Sequence, residues 1–184
     1  MRKIILDLAV TLDGFIEGPN GEIDWCIMDD EMDFSKFLAA IDTILYGRIS
    51  YDLWGQYQPD DSASPAMQDT FTAIHTKHKV VFSKTATVKD ENVRVISTDI
   101  EKQVQSLKSQ PGKDIWLYGG ANLITTFIDL NLIDEYRLSV HPIVLGKGKP
   151  IFDNIDRRIN LSLTQTRVFK SGVVQLCYQP QNNV

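Results

Sequence analysis

Gly119 and Gly120 follow the apolar run Ile115, Trp116, Leu117 and Tyr118 and precede Ala121, Asn122, Leu123 and Ile124, which open a helical pattern. A buried strand that turns through two glycines into a helix leaves the first helical N–H groups free, a geometry suited to a phosphate. Glycine also lets a ligand come close to the backbone, because no Cβ holds it off. The same sequence suits a helix that packs tightly on a sheet, so the pair alone leaves both readings open. Arg48 stands between Gly47 and Ser50 where another apolar run turns helical, and Ser83 with Lys84 ends a third. An arginine beside hydroxyls and an ammonium presents charge-assisted donors to a phosphate. By composition alone the same cations read as solvated surface charges.

Acids and aromatics form a second group. Asp7 interrupts the aliphatic run 4–10, and a carboxylate in a buried strand must find a partner or open onto a cleft. Thr11 and Asp13 follow it; they shape a polar pocket or, with Gly14, make a turn. Trp25 closes the loop beyond. Asp33 heads the helical pattern of Phe34, Phe37, Leu38 and Ile41, as an N-cap would. Tyr51, Trp54 and Tyr57 offer a substrate wall or core. His75 and His78, three apart with no cysteine nearby, lack the pattern of a metal site, and no metal is expected. His141, before Pro142, reads as structural or interfacial.

These residues sit on elements that alternate. Strands are expected at 4–10, 43–46, 79–82, 93–96, 115–118 and 133–140, and helices at 33–40, from 47, at 66–75, from an Asp99 cap to Leu107, and at 121–128. Residues 11–21 read as an irregular loop, 56–65 as a polar loop, and 161–169 with 173–178 as a hairpin turned at Lys170, Ser171 and Gly172. Such alternation predicts an α/β chain with a mostly parallel central sheet, helices on both faces and a C-terminal antiparallel hairpin. In sheets of this kind ligands lie beyond the carboxyl ends of the strands.

Length and composition bound the function. At 184 residues the chain suits one domain, 1–184, with an ordinary globular make-up of 43% hydrophobic and 23% charged residues. A net charge of −5 provides no basic footprint for nucleic acid or an anionic membrane. The apolar N-terminal run is cut by Asp7 too early for a signal peptide, and no stretch is long enough to span a bilayer. Cys26 and Cys177 read as reduced thiols, so the expectation is a cytoplasmic protein acting on a small molecule.

Taken in order, the motifs resemble the dihydrofolate reductase fold, and within it the reductase domain of bacterial riboflavin biosynthesis (RibD C-terminal domain-like). The residues that carry the likeness are Ala9-Val10-Thr11-Leu12-Asp13-Gly14-Phe15-Ile16 with Trp25, then Leu45-Tyr46-Gly47-Arg48-Ile49-Ser50, then Val81-Phe82-Ser83-Lys84. Leu117-Tyr118-Gly119-Gly120-Ala121-Asn122-Leu123 follows, and last Leu132 to Leu138 with Pro142 and Leu145-Gly146-Lys147-Gly148. The resemblance covers nearly the whole chain and implies a three-layer α/β/α, dihydrofolate reductase-like fold that binds NADPH. By position, Ala9 and Ile16 would touch the nicotinamide, and Gly47, Arg48 and Ser50 the adenine-side phosphates. Ser83 and Lys84 would flank the ribose 2′-phosphate. Tyr118, Gly119, Gly120, Ala121, Asn122 and Leu123 would form the pyrophosphate turn, with Asn122 meeting pyrophosphate or capping the helix.

The resemblance further implies hydride transfer to a C=N or C=O carbon of a small heterocyclic or carbonyl substrate. Asp33 lies four residues before Phe37 much as the folate enzymes' acid precedes its aromatic, and is the catalytic candidate, with Asp29, Asp30 and Glu31 as rivals. Asp7, Thr11, Trp25 and Phe37 are the substrate-side candidates. Riboflavin-type reductases carry an acid where this chain has Tyr118, which argues against their phosphoribosyl intermediate as substrate. Dihydrofolate reduction and cofactor binding without turnover are the alternatives. A homodimer through residues 140–145 and the hairpin is the expected assembly.

Overall fold

The computed structural model describes residues 1–181 apart from Met28, Asp29, Asp33 and Lys89. In chain order the elements are β1 (Ile4–Thr11), β2 (Phe15–Glu17), α1 (Phe34–Ala40), β3 (Ile41–Gly47) and a short α2 (Arg48–Ser50), which continues as a π-helical turn (Tyr51–Gly55). Then come α3 (Pro65–His75), β4 (His78–Phe82), β5 (Val93–Ile96), α4 (Ile100–Ser109), β6 (Asp114–Gly119) and α5 (Ala121–Asp129). The chain closes with β7 (Glu135–His141), β8 (Lys149–Pro150), β9 (Leu161–Val168) and β10 (Val174–Pro180). Contacts group these into two compact units, one of residues 1–2 and 33–120 and one of residues 3–32 and 121–184.

The first unit is a parallel sheet in the order β5-β4-β3-β6. Its central strands β3 and β6 are rich in buried apolar residues, with no exposed surface on Ile41, Ile44, Leu45, Ile115 and Leu117, the pattern of strands covered on both faces, whereas the edge strand β5 leaves Arg94 and Val95 exposed. Phe34 and Phe37 of α1 each meet the Trp116 ring at 5.4 Å, and Tyr118 lies 5.1 Å from Trp116 and 4.9 Å from Tyr46. Offset and edge-on pairs of this kind add about 0.5–1.5 kcal/mol each beyond their burial. Ser64 caps α3, its hydroxyl accepting from the Met67 N–H at 3.3 Å, with Pro65 at the first helical position. Asp99 does not cap α4 with its side chain as the sequence suggests. It adopts the left-handed conformation (φ 51°) with no side-chain cap bond, and its carbonyl accepts the Gln103 N–H instead. Aspartate tolerates that conformation at a single position.

The second unit has the strand order β1-β7-β10-β9, with β1 and β7 parallel and the C-terminal strands antiparallel. Leu123, Ile124, Phe127 and Ile128 give α5 its buried face, at the helical spacing that the sequence displays. Residues 11–21 are not wholly irregular: β2 pairs with β8 in a two-stranded sheet of its own. Asp13 holds that region. Its carboxylate accepts from the Thr11 hydroxyl at 2.7 Å and from the N–H groups of Leu145 at 3.2 Å and Gly146 at 2.8 Å. The partner of β2 lies 132 residues along the chain, beyond any local pattern.

Candidate functional site

The parallel sheet of the first unit brings its motif-bearing strand ends to one edge. Gly47 pairs with Phe82 and Tyr46 with Gly119, so Arg48, Ser83 and Gly120 each follow at a similar level. Gly119 has φ 113°, a conformation that favours glycine, and its peptide bond to Gly120 is cis. A Cβ on Gly120 would lie 3.0 Å from the Ser50 hydroxyl oxygen, closer than side chains usually come. Glycine at 120 therefore keeps open a space bordered by a hydroxyl. The Ser83 Oγ accepts the N–H groups of Thr85 at 3.1 Å and Ala86 at 2.9 Å, which leaves its own proton to donate. Arg48 lies 3.0 Å from Asp52 one turn later, with about half of each side chain exposed. Surface pairs of this kind hold weakly, about 0.3–0.5 kcal/mol, so the guanidinium can turn to another anion. Lys84 is exposed.

The second unit carries a polar row across its strands. Asp7 of β1 stands opposite Arg137 of β7, which stands opposite Cys177 of β10; one step along, Ala9, Ser139 and Gln175 are in register. The Arg137 guanidinium is 2.5 Å from Glu135. Burial pushes the Asp7 carboxyl up to about 7, against the pull of Arg137 and with the help of Glu135. Beyond this row Thr11 pairs with His141. A cleft of about 570 Å³ is lined by Gly18, Pro19, Glu22, Trp25, Leu145 and Lys147 among others.

Of the candidate residues, Gly47, Arg48, Ser50, Ser83, Lys84, Tyr118, Gly119 and Gly120 fall in the first unit, and Asp7, Ala9, Thr11, Ile16, Trp25, Ala121, Asn122 and Leu123 in the second. Asp33 and Asp29 lie outside the described residues. Phe37 is buried against Trp116 in the core, and Tyr118 is part of the same aromatic cluster. The Thr11 hydroxyl donates to Asp13 and accepts the Phe15 N–H at 2.9 Å, so its bonds are spent inside its own loop. Ala121 and Leu123 are buried and Asn122 is exposed at the first turn of α5. His75 is engaged with the Tyr57 carbonyl at 2.8 Å.

Sequence reasoning passed over Glu135, Arg137 and the pairing of Cys26 with His141. A signal for the first two was present: Glu135, Arg137, Ser139 and His141 alternate with Tyr136, Leu138 and Val140, the period-2 mark of a strand with one polar face. Cys26 and His141 are 115 residues apart and meet, sulfur to Nε2, at 3.7 Å. No spacing rule links them.

The protein YyaP of Bacillus subtilis (strain 168) is 59% identical over 177 residues, which cover 96% of this chain and 94% of that protein. A Shewanella sp. PV-4 protein assigned to riboflavin biosynthesis superposes with a TM-score of 0.79 at 22% identity, over 99% of this chain and 100% of that one. Dihydrofolate reductase from Enterococcus faecalis, in complex with NADP(H) and RAB-propyl, superposes with a TM-score of 0.67 at 14% identity, over 98% and 97%. At these identities the two structural matches establish the fold, which is α/β and dihydrofolate reductase-like. The description that matches residues 2–175 is the RibD C-terminal domain, and it is to that family that this chain belongs.

Proposed function

We propose that this chain is a reductase that uses NADPH to reduce a small heterocyclic or carbonyl substrate. The observation that carries the reading is the turn at Gly120, where the space a Cβ would fill is bordered by the Ser50 hydroxyl. A phosphate needs close backbone approach and nearby donors, and this turn has both. Arg48, Ser83 and Lys84, at neighbouring strand ends of the same sheet, add two cations and a donor hydroxyl, and would hold the phosphates of the dinucleotide. A third phosphate on the ribose explains a need for more than one cation, which favours NADPH over NADH. Family membership and the NADP(H)-bound reductase of like fold support the same cofactor.

NADPH, when bound, supplies the hydride. The chain's own part is to orient the reactants and to supply a proton. In the second unit Asp7, its carboxyl raised to about 7, is the candidate to hold a proton or to donate a hydrogen bond. Arg137 and Glu135 hold the charge balance around it.

Calorimetric titration tests the reading. NADPH should bind more tightly than NADH, and Arg48→Ala should weaken it about tenfold or more, the worth of a charge-assisted hydrogen bond. Absence of binding, or equal affinity in Arg48→Ala, would refute the cofactor assignment. Turnover assays with dihydrofolate and with a pyrimidine ribose compound then sort substrates. Dihydrofolate reduction that disappears in Asp33→Ala would make the chain a dihydrofolate reductase proper. NADPH binding without turnover on any substrate would leave a cofactor-binding protein.

A further inference from the structure

Cys26 and His141, both in the second unit, form a thiol–imidazole pair that the reductase reading leaves unused. His141 ends β7 and is only 1% exposed, with the Trp25 ring edge-on at 5.3 Å. Its Nδ1 lies 2.9 Å from the Ser139 carbonyl oxygen. Its Nε2 lies 3.7 Å from the Cys26 sulfur and 3.4 Å from the Ile27 carbonyl oxygen. A neutral imidazole has one N–H. Placed on Nδ1, that proton goes to Ser139, and Nε2 accepts the Cys26 S–H while facing the Ile27 carbonyl without a proton to give it. When the thiol proton moves to Nε2, both ring N–H groups have acceptors, and the new positive charge sits beside the thiolate and two carbonyl dipoles.

Burial pushes the Cys26 thiol up from its ordinary range and disfavours a free thiolate, so a nucleophilic sulfur needs a base at hand, and the His141 Nε2 at 3.7 Å is the acceptor in place. A thiolate made this way keeps high intrinsic nucleophilicity, because nucleophilicity rises with the pKa of the parent thiol. Cys26 is partly exposed and within reach of a small reagent, whereas Cys177 is buried.

We propose that Cys26 is a modification site, a nucleophilic thiol with His141 as its base, open to peroxides and small alkylating electrophiles. With hydrogen peroxide the sulfur attacks one oxygen, an S–O bond forms and the O–O bond breaks. The departing hydroxide takes the proton held by His141 and leaves as water. Sulfur is oxidised by two electrons to the sulfenic acid and the peroxide is reduced by the same two. The added oxygen lies next in sequence to Trp25, which packs on His141 and lines the cleft, so oxidation changes a wall of that cleft. The proposal stands apart from the reductase reading.

Mass spectrometry of the intact protein after iodoacetamide, and after peroxide with a sulfenic-acid trap, provides the test. Cys26 should be labelled and Cys177 spared. His141→Asn keeps a donor for the Ser139 carbonyl but cannot take the thiol proton, and should slow labelling about a hundredfold, within the range of a positioned general base. Peroxide should shift the tryptophan fluorescence of the wild type and not that of Cys26→Ser. Labelling of His141→Asn at the wild-type rate, or of Cys26 no faster than Cys177, would overturn the proposal. If His141→Asn does not fold, the ultraviolet thiolate absorbance decides: a wild-type band indistinguishable from that of Cys26→Ser counts against it.

Discussion

Asp7 shows how far a single residue's chemistry depends on its neighbours. A carboxyl within an aliphatic strand announces a partner or a cleft, and Arg137 is the charge opposite it. Desolvation nevertheless wins, and the carboxyl holds its proton up to about pH 7, well above the ordinary 3.8. The folded chain thus binds this proton more tightly than the unfolded chain. Stability from Asp7 is complete below about pH 4 and is lost as pH rises through 7, at about 1.4 kcal/mol per pH unit at most. Asp7→Asn should therefore gain melting temperature relative to wild type at pH 8 and not at pH 4; a difference that is the same at both would refute the protonated carboxyl. Gly120→Ala is the second test at this scale. Its Cβ meets Ser50, so NADPH affinity should fall while circular dichroism stays native.

Among the elements, the small β2–β8 sheet has the most to say about how loops become walls. Asp13, half turn signal and half candidate in the sequence, is the pin: one carboxylate takes the Thr11 hydroxyl and two backbone N–H groups from residues 145–146. Those hydrogen bonds hold its carboxyl below the usual range, the Thr11 hydroxyl contributing most. Gly148 lies against β2, where a Cβ would collide with the Glu17 carbonyl oxygen. Gly148→Ala should thus separate β2 from β8 and speed amide exchange over residues 12–24 and 142–150, with protection in β3 and β6 unchanged. Uniform protection in the variant would show that the small sheet does not hold these loops. The period-2 alternation of β7 and the Ser64-Pro65 start of α3 are local signals present in the sequence. The β2–β8 pairing is not, since its strands are too short to carry a period.

At the scale of the whole molecule, the chain weaves between its two units: residues 1–2 belong with 33–120, and 3–32 with 121–184. Arg2 secures its end of the first unit. Its guanidinium pairs with Asp42 and donates to the Thr43 hydroxyl at 2.7 Å and the Lys113 carbonyl at 2.5 Å. Burial raises the Asp42 carboxyl, but the Lys113 N–H, Thr43 and Arg2 together outweigh it and hold the group below its ordinary 3.8. Stability from Asp42 is present above that value and is lost as pH falls through the lower folded value, the reverse of Asp7. Asp42→Ala leaves the buried Arg2 without its carboxylate and should cost about 3 kcal/mol in urea unfolding at neutral pH. The loss should shrink toward pH 3; a constant difference would mean that the ion pair contributes nothing. Among the described residues no helix is long and apolar enough to cross a membrane.

The amino-acid sequence by itself determined the alternation of strands and helices, the C-terminal hairpin and the placing of Gly47-Arg48, Ser83-Lys84 and Gly119-Gly120 at strand ends. Each of those rests on local periodicity, turn chemistry or a short motif, and their resemblance, taken in order, to a known family implied the dihydrofolate reductase-like fold. Tertiary structure alone decided what each candidate touches. Phe37 is committed to Trp116, the Thr11 hydroxyl to its own loop, Arg48 shares Asp52, and Cys26 meets His141 across 115 residues. Such contacts depend on strand register and on the path of loops, where a shift of one residue turns every side chain to the other face, and neither is written in the spacing of the residues that meet.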